Sequence, residues 1–214
     1  MKEFSPEKAY LLIARVKLQD QLIQNLDRES IDVFNFLKTE FRKGDVRKNH
    51  LFQFVFRSFY RLDNAGLTPE FKSRFFELME ENRNNKSIEI KDLLRELEKY
   101  PRIKEIKKEE DKGSFQFSFV TKLINTINPE FPIYDSKVSK AIIGTAFNPS
   151  GNFDQKLKVY QARHETIKNT YFYILESKSF TDLFIDFDNS FPNNGLPDLK
   201  KLDFIFWSYG KLLG

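Results

Sequence analysis

Phenylalanine occurs 24 times in this chain, and most of these residues sit at helical spacing, three or four positions from other apolar residues. That period stacks side chains on one face of an α-helix, whereas a strand needs alternation. The expected core is therefore aromatic and lies between helices. Helix-start signals agree with this. Ser5-Pro6-Glu7 reads as an N-cap, a proline at the first helical position and an acidic first turn. Thr68-Pro69-Glu70 repeats the pattern, and Leu196-Pro197-Asp198 opens a last helix through Leu202, Phe206 and Tyr209.

Between these anchors the same rhythm continues. Tyr10, Ile13, Ala14, Lys17, Leu18 and Ile23 mostly keep the three-four rhythm of a first helix, and a second runs from about Ser30 to Phe41 and stops near Gly44. Leu51 to Leu62 predicts a third, closed by Asp63-Asn64-Ala65-Gly66, and a fourth carries Phe71, Phe75, Phe76 and Met79. Ser87 is the expected cap of a fifth helix that buries Leu93, Leu94 and Leu97. Arg102 to Lys112 reads as a solvated helix or connector, because Ile103 and Ile106 are its only apolar residues. A helix from about Ser118 ends at Asn128-Pro129, a short one follows Asp135, and a long one spans Phe153 to about Leu175. Phe180 to Phe187 is a further short segment. The sum is an all-α, multi-helix protein of roughly nine to eleven helices with no internal repeat. It is expected to form a single all-helical domain over 1–214, with room for two lobes and a cleft near residues 113–140.

Composition narrows the function classes. Hydrophobic residues make up 40% and charged residues 31%, a globular profile. No apolar run approaches the ~20 residues of a membrane span, and the first residues lack a signal-peptide core. The absence of cysteine excludes disulfides, thiolate nucleophiles and Cys-based zinc sites. With only His50 and His164 available, a His-rich metal site is not expected. These features favour a cytoplasmic protein with no membrane partner, no metal and no cofactor. A net charge of +4, with 35 basic residues interspersed among 31 acidic ones, permits a nucleic-acid partner without requiring one. The basic loop from Arg42 to His50 reads either as a backbone contact or as a solvated connector.

There is no Gly-rich phosphate loop, no serine nucleophile elbow and no His-Glu-x-x-His. Carboxylates, lysines, tyrosines and two histidines remain as carriers of chemistry. Asp135 stands out, in Phe131-Pro132-Ile133-Tyr134-Asp135-Ser136-Lys137-Val138. It is placed to cap the helix that starts after it, accepting from N–H groups near Lys137 or Val138. The same placement suits a carboxylate that stabilises a developing cation or orients a water. From the residues alone, cap and catalyst both stand.

The order of an apolar helix, a proline-containing connector and Ile133-Tyr134-Asp135-Ser136-Lys137-Val138 resembles the helix-hairpin-helix DNA glycosylase superfamily. Those base-excision repair enzymes carry a Val-Asp-Thr-His-Val-like stretch at this point. The C-terminal Leu202 to Lys211 also looks like the end of bacterial proteins that share Pro-Ile-Tyr-Asp-Ser. The resemblance covers roughly 113–143 and implies a two-lobed all-α fold, duplex DNA as partner and hydrolysis of an N-glycosidic bond. It implies Asp135 as the catalytic carboxylate, with Ser136 following it and Lys137 where histidine is frequent. Lys122, on the preceding helix, would be the Schiff-base nucleophile of a bifunctional member; a solvent-facing or Asp-paired lysine is the plainer reading. The family's glycine-rich hairpin corresponds to Lys112-Gly113-Ser114 and the residues after them, which hold a single glycine. Lys112, Gly113 and Ser114 are thus the implied phosphate contacts. Tyr134 would stack on an extruded base or pack beneath the Asp135 turn. Lys137 and Lys140 would meet phosphate or form a solvated face. A non-catalytic nucleic-acid-binding or protein-interaction module on the same scaffold is the alternative.

Overall fold

The computed structural model describes residues 4–103, 115–144 and 149–214. Among them are ten α-helices, one 3₁₀ turn and no strand, so the protein is all-α. The helices are α1 (Pro6–Lys17), α2 (Arg28–Lys43), α3 (His50–Phe59), α4 (Pro69–Glu81), α5 (Ile90–Glu98), α6 (Phe117–Ile127), α7 (Ser136–Ile143), α8 (Phe153–Glu176), α9 (Thr181–Ser190) and α10 (Asp198–Leu212). No helix among the described residues is long and apolar enough to cross a membrane.

The chain divides into two compact units, one of Met1–Asp32 with Pro132–Gly214 and one of Val33–Phe131. In the second unit, α4, α5 and α6 pack on one another. Its core is the phenylalanine cluster that the spacing predicts. Phe52, Phe56, Phe71 and Phe75 are fully buried. The Phe75 and Phe76 rings meet edge to face at 5.5 Å, and Phe56 lies 5.6 Å from Phe75. Such pairs add about 0.5–1.5 kcal/mol each beyond their buried area. Thr68 caps α4 by accepting from the Phe71 N–H at 3.2 Å. The α5 start differs from expectation. Ser87 donates its N–H to Asn85 Oδ1 at 2.9 Å, and the helix begins at Ile90 without a side-chain cap. Leu93, Leu94 and Leu97 are nonetheless the buried stripe.

In the first unit, α10 is the central element. It packs on α7, α8 and α9, while α1 lies on α8. Nearly every α10 residue from Leu199 to Gly210 is buried, as for a helix without a solvent face. Tyr171 and Phe180 both stack on Phe206, at 5.5 and 5.9 Å. Ser5 caps α1 as expected, but the buried residues there are Ala9, Ile13 and Val16. Tyr10 and Leu18 face outward.

Candidate functional site

The connector that carries Asp135 is held by its carbonyls. In the second unit, the Asn125 amide of α6 donates to the Phe131 carbonyl at 2.8 Å. In the first, the His164 ring of α8 bonds the Pro132 carbonyl at 2.7 Å. A carbonyl only accepts, so His164 Nε2 carries the hydrogen. Burial is the main cause of a His164 pKa below the ordinary imidazole value, against a smaller opposing effect of the Pro132 bond. The ring is therefore neutral near pH 7.

Ile133 and Tyr134 follow, both buried. The Tyr134 ring packs edge-on against Tyr160 at 5.2 Å, and its hydroxyl lies 3.3 Å from Ser139 Oγ. Arg163 donates to the same Ser139 oxygen at 3.0 Å. The Tyr134 side chain is thus a wall of the α7–α8 contact beneath the Asp135 turn.

Asp135 is the N-cap of α7. Its backbone is extended, and Oδ1 accepts from the Lys137 N–H at 2.9 Å. The Asp135 carbonyl accepts from Ser139 N–H at 2.8 Å, which starts the helix. The side chain is half-buried and the next residue, Ser136, is exposed. The carboxylate therefore sits on the positive end of a helix dipole at a partly open position. Lys137 is half-buried, and its carbonyl abuts Gly210 of α10. Lys140 reaches the far end of α10, donating to the Leu213 carbonyl at 2.8 Å and to that of Gly214. There it offsets the negative end of the α10 dipole.

A buried polar cluster that local sequence spacing does not fully reveal lies in the same unit. Asp203 of α10 is buried and accepts from the Tyr171 hydroxyl of α8 at 2.9 Å and from Lys200 Nζ at 3.2 Å. Lys200 is itself buried. Desolvation pushes the Asp203 carboxyl above its ordinary value, Lys200 and Tyr171 pull it back, and the charge of Asp135 adds to the upward push. Burial and the Asp203 charge likewise raise the Tyr171 phenol well above its usual range. A sequence signal for this cluster exists: Lys200 and Asp203 are opposite charges three apart at the start of a helix whose next residues, Phe204 to Trp207, are all apolar.

The remaining predicted residues lie elsewhere. Lys122 belongs to α6 in the second unit. It is buried rather than solvent-facing: Nζ donates to Ser118 Oγ at 3.1 Å and lies 5.3 Å from the Phe119 ring and 5.5 Å from the Tyr60 ring. The amine thus sits against aromatic faces. Lys112, Gly113 and Ser114 lie outside the described residues, as does most of the charged segment before them. In the basic loop, Arg47 is paired with Asp45 at 2.7 Å. No cluster of three or more potential metal ligands occurs among the described residues. Comparison with known protein families, curated proteins and solved structures yields no match to this chain.

Proposed function

We propose that this protein is a helix-hairpin-helix glycosylase-like hydrolase that binds DNA and cleaves an N-glycosidic bond, with Asp135 as its carboxylate. The fold that belongs to this reading is the two-lobed glycosylase architecture, and the process is base-excision repair in the cytoplasm. The observation that supports it best is the Asp135 cap. A half-buried carboxylate is fixed on the first turn of α7 by the Lys137 N–H, directly after a proline-containing connector tied down by His164.

In the reaction, the C1′–N bond breaks with its electron pair leaving on the base, and cationic character develops on the sugar. Asp135 faces that charge and stabilises it. Water then forms the new C1′–O bond, and its proton passes by way of the carboxylate to the departing base. This reading assigns exposed Ser136 and half-buried Lys137 to the DNA backbone. Lys122 is the candidate covalent nucleophile of a bifunctional variant of this reaction.

The test is cleavage of a broad panel of lesion-containing and abasic duplexes by the wild type and Asp135→Asn. Wild-type cleavage that the variant loses by at least about 100-fold supports the reading. Equal background cleavage by both overturns it. Borohydride trapping of an abasic duplex, lost in Lys122→Met, reports the covalent role.

The second reading is a non-catalytic nucleic-acid-binding or protein-interaction module. It draws on two observations: Lys140 is engaged by α10 carbonyls, and Tyr134 is turned into the core. Salt-dependent DNA binding unchanged by Asp135→Asn, without cleavage, is its signature.

A further inference from the structure

Asp203 takes no part in the reaction just described, yet it lies on the same face of the same interface as Asp135. The α7–α10 pair runs side by side in one direction. Lys137 touches Gly210, and Lys140, one turn on, reaches Leu213 and Gly214, also one turn on. Asp135 precedes Lys137 and so lies toward the start of α10 from Gly210. Asp203 lies that way too, about two turns before Gly210 and on the same helix face. Tyr171 of α8 closes the group from the third side with its 2.9 Å bond to Asp203. The groups bonded to Asp203 are the Tyr171 hydroxyl from α8 and Lys200 from α10 itself, and the charge of Asp135 acts on it from α7. The nearby cation Lys201 is occupied by Asp188 of α9 at 2.7 Å and by Asp198 at 3.2 Å.

We infer that Asp203 is a positioning residue of this site: sealed between the Tyr171 hydroxyl and the Lys200 ammonium, it is a second carboxylate whose charge is coupled to that of Asp135 across the α7–α10 interface. Asp135, the half-exposed member, meets substrate; Asp203, the buried member, does not. The influence of the Asp135 charge on both Tyr171 and Asp203 agrees with this arrangement. The catalytic consequence rests on the glycosylase reading above. The field at the reacting carbon is then set by two carboxylates and an ammonium rather than by Asp135 alone. The coupling itself needs no substrate.

The test is a pH titration of the Asp203 side-chain carboxyl carbon by NMR, in the full chain and in Asp135→Asn. Asparagine keeps a capping oxygen, so α7 stays formed and only the charge is removed. The Asp203 midpoint is expected to fall by about half a pH unit or more in the variant, the size that a neighbouring partly buried charge exerts. A change below about 0.2 unit overturns the inference. Should Asp135→Asn not fold, Asp135→Ser also retains a capping oxygen and gives the same readout. Failure of lesion cleavage overturns the glycosylase reading and leaves the coupling standing. An active enzyme whose Asp203 midpoint ignores Asp135 overturns the coupling alone.

Discussion

Gly210 of α10 and Lys137 of α7 meet backbone to backbone. A Cβ on Gly210 would stand 2.2 Å from the Lys137 carbonyl oxygen and 2.6 Å from its carbonyl carbon. The obstacle is main chain, which cannot rotate aside as a side-chain tip can. Gly210→Ala would improve intrinsic helix propensity by about 1 kcal/mol. A net loss of stability therefore isolates the clash. The expected loss is about 3 kcal/mol, at the upper end for overpacking, read as a lower urea midpoint at unchanged slope. A midpoint equal to or above that of the wild type would show that α7 and α10 can separate freely.

The two roles of Asp135 separate by substitution. Asp135→Ala removes the bond from the Lys137 N–H and should cost about 1 kcal/mol of stability; Asp135→Asn keeps an acceptor and should cost only a few tenths. Cleavage, by contrast, should fall in both variants, because both lose the charge. If Asp135→Asn cleaves as well as the wild type, the carboxylate is a cap and nothing more. Thermal melts beside lesion-cleavage rates distinguish the cases.

Asp203 and Lys200 make a buried ion pair in which each leaves the other stranded when removed. Asp203→Asn retains an acceptor for the Tyr171 hydroxyl but leaves a buried ammonium, and should cost about 3 kcal/mol; Lys200→Met leaves a buried carboxylate at similar cost. The double variant leaves neither charge. Its loss should fall short of the sum of the single losses by about 1.5 kcal/mol or more. Additive losses in a denaturation cycle would mean that the two groups do not share their burial.

What the sequence revealed follows from how local each feature is. The Ser5, Thr68 and Asp135 caps involve a residue and its own next turn, and all three bond as their positions imply. The phenylalanine stripes of α3 and α4 are equally local in origin. Ser87 misled because it is drawn into a turn by Asn85, a competing bond of the same short range. Tyr10 and Leu18 fit a helical period but point away from α8, and a period alone does not choose between overlapping faces. The Asp203 cluster was hidden for another reason. Lys200 and Asp203 look like an ordinary surface pair until α8 supplies Tyr171, a partner that local spacing cannot place. His164 sits between Arg163 and Glu165 and reads as exposed or hydrogen-bonded; it is hydrogen-bonded, to Pro132, a partner that arrives from the connector and that local spacing cannot name.

That His164 bond makes acid stability a test of the connector. His164 is buried, and its folded pKa lies below the ordinary value of 6.5 that it regains on unfolding. Between those two values the unfolded chain binds more protons, so stability falls as pH drops below 6.5 and levels off below the folded value. The groups around the ring do not reverse this: Glu165 opposes the shift, Lys168 supports it, and desolvation exceeds both. Other groups act elsewhere or with the opposite sign. Asp45, held to about 2 chiefly by its hydrogen bond from Arg47, loses its contribution only below its ordinary 3.8. Asp203, raised by burial, favours the folded state increasingly on acidification. His164→Gln keeps an N–H donor for the Pro132 carbonyl and cannot be protonated. Between pH 7 and 5 the wild type should lose stability faster than this variant, by up to about 1.4 kcal/mol for each pH unit below 6.5. Parallel curves over that window, from urea denaturation at each pH, would mean that His164 is not held neutral against the connector.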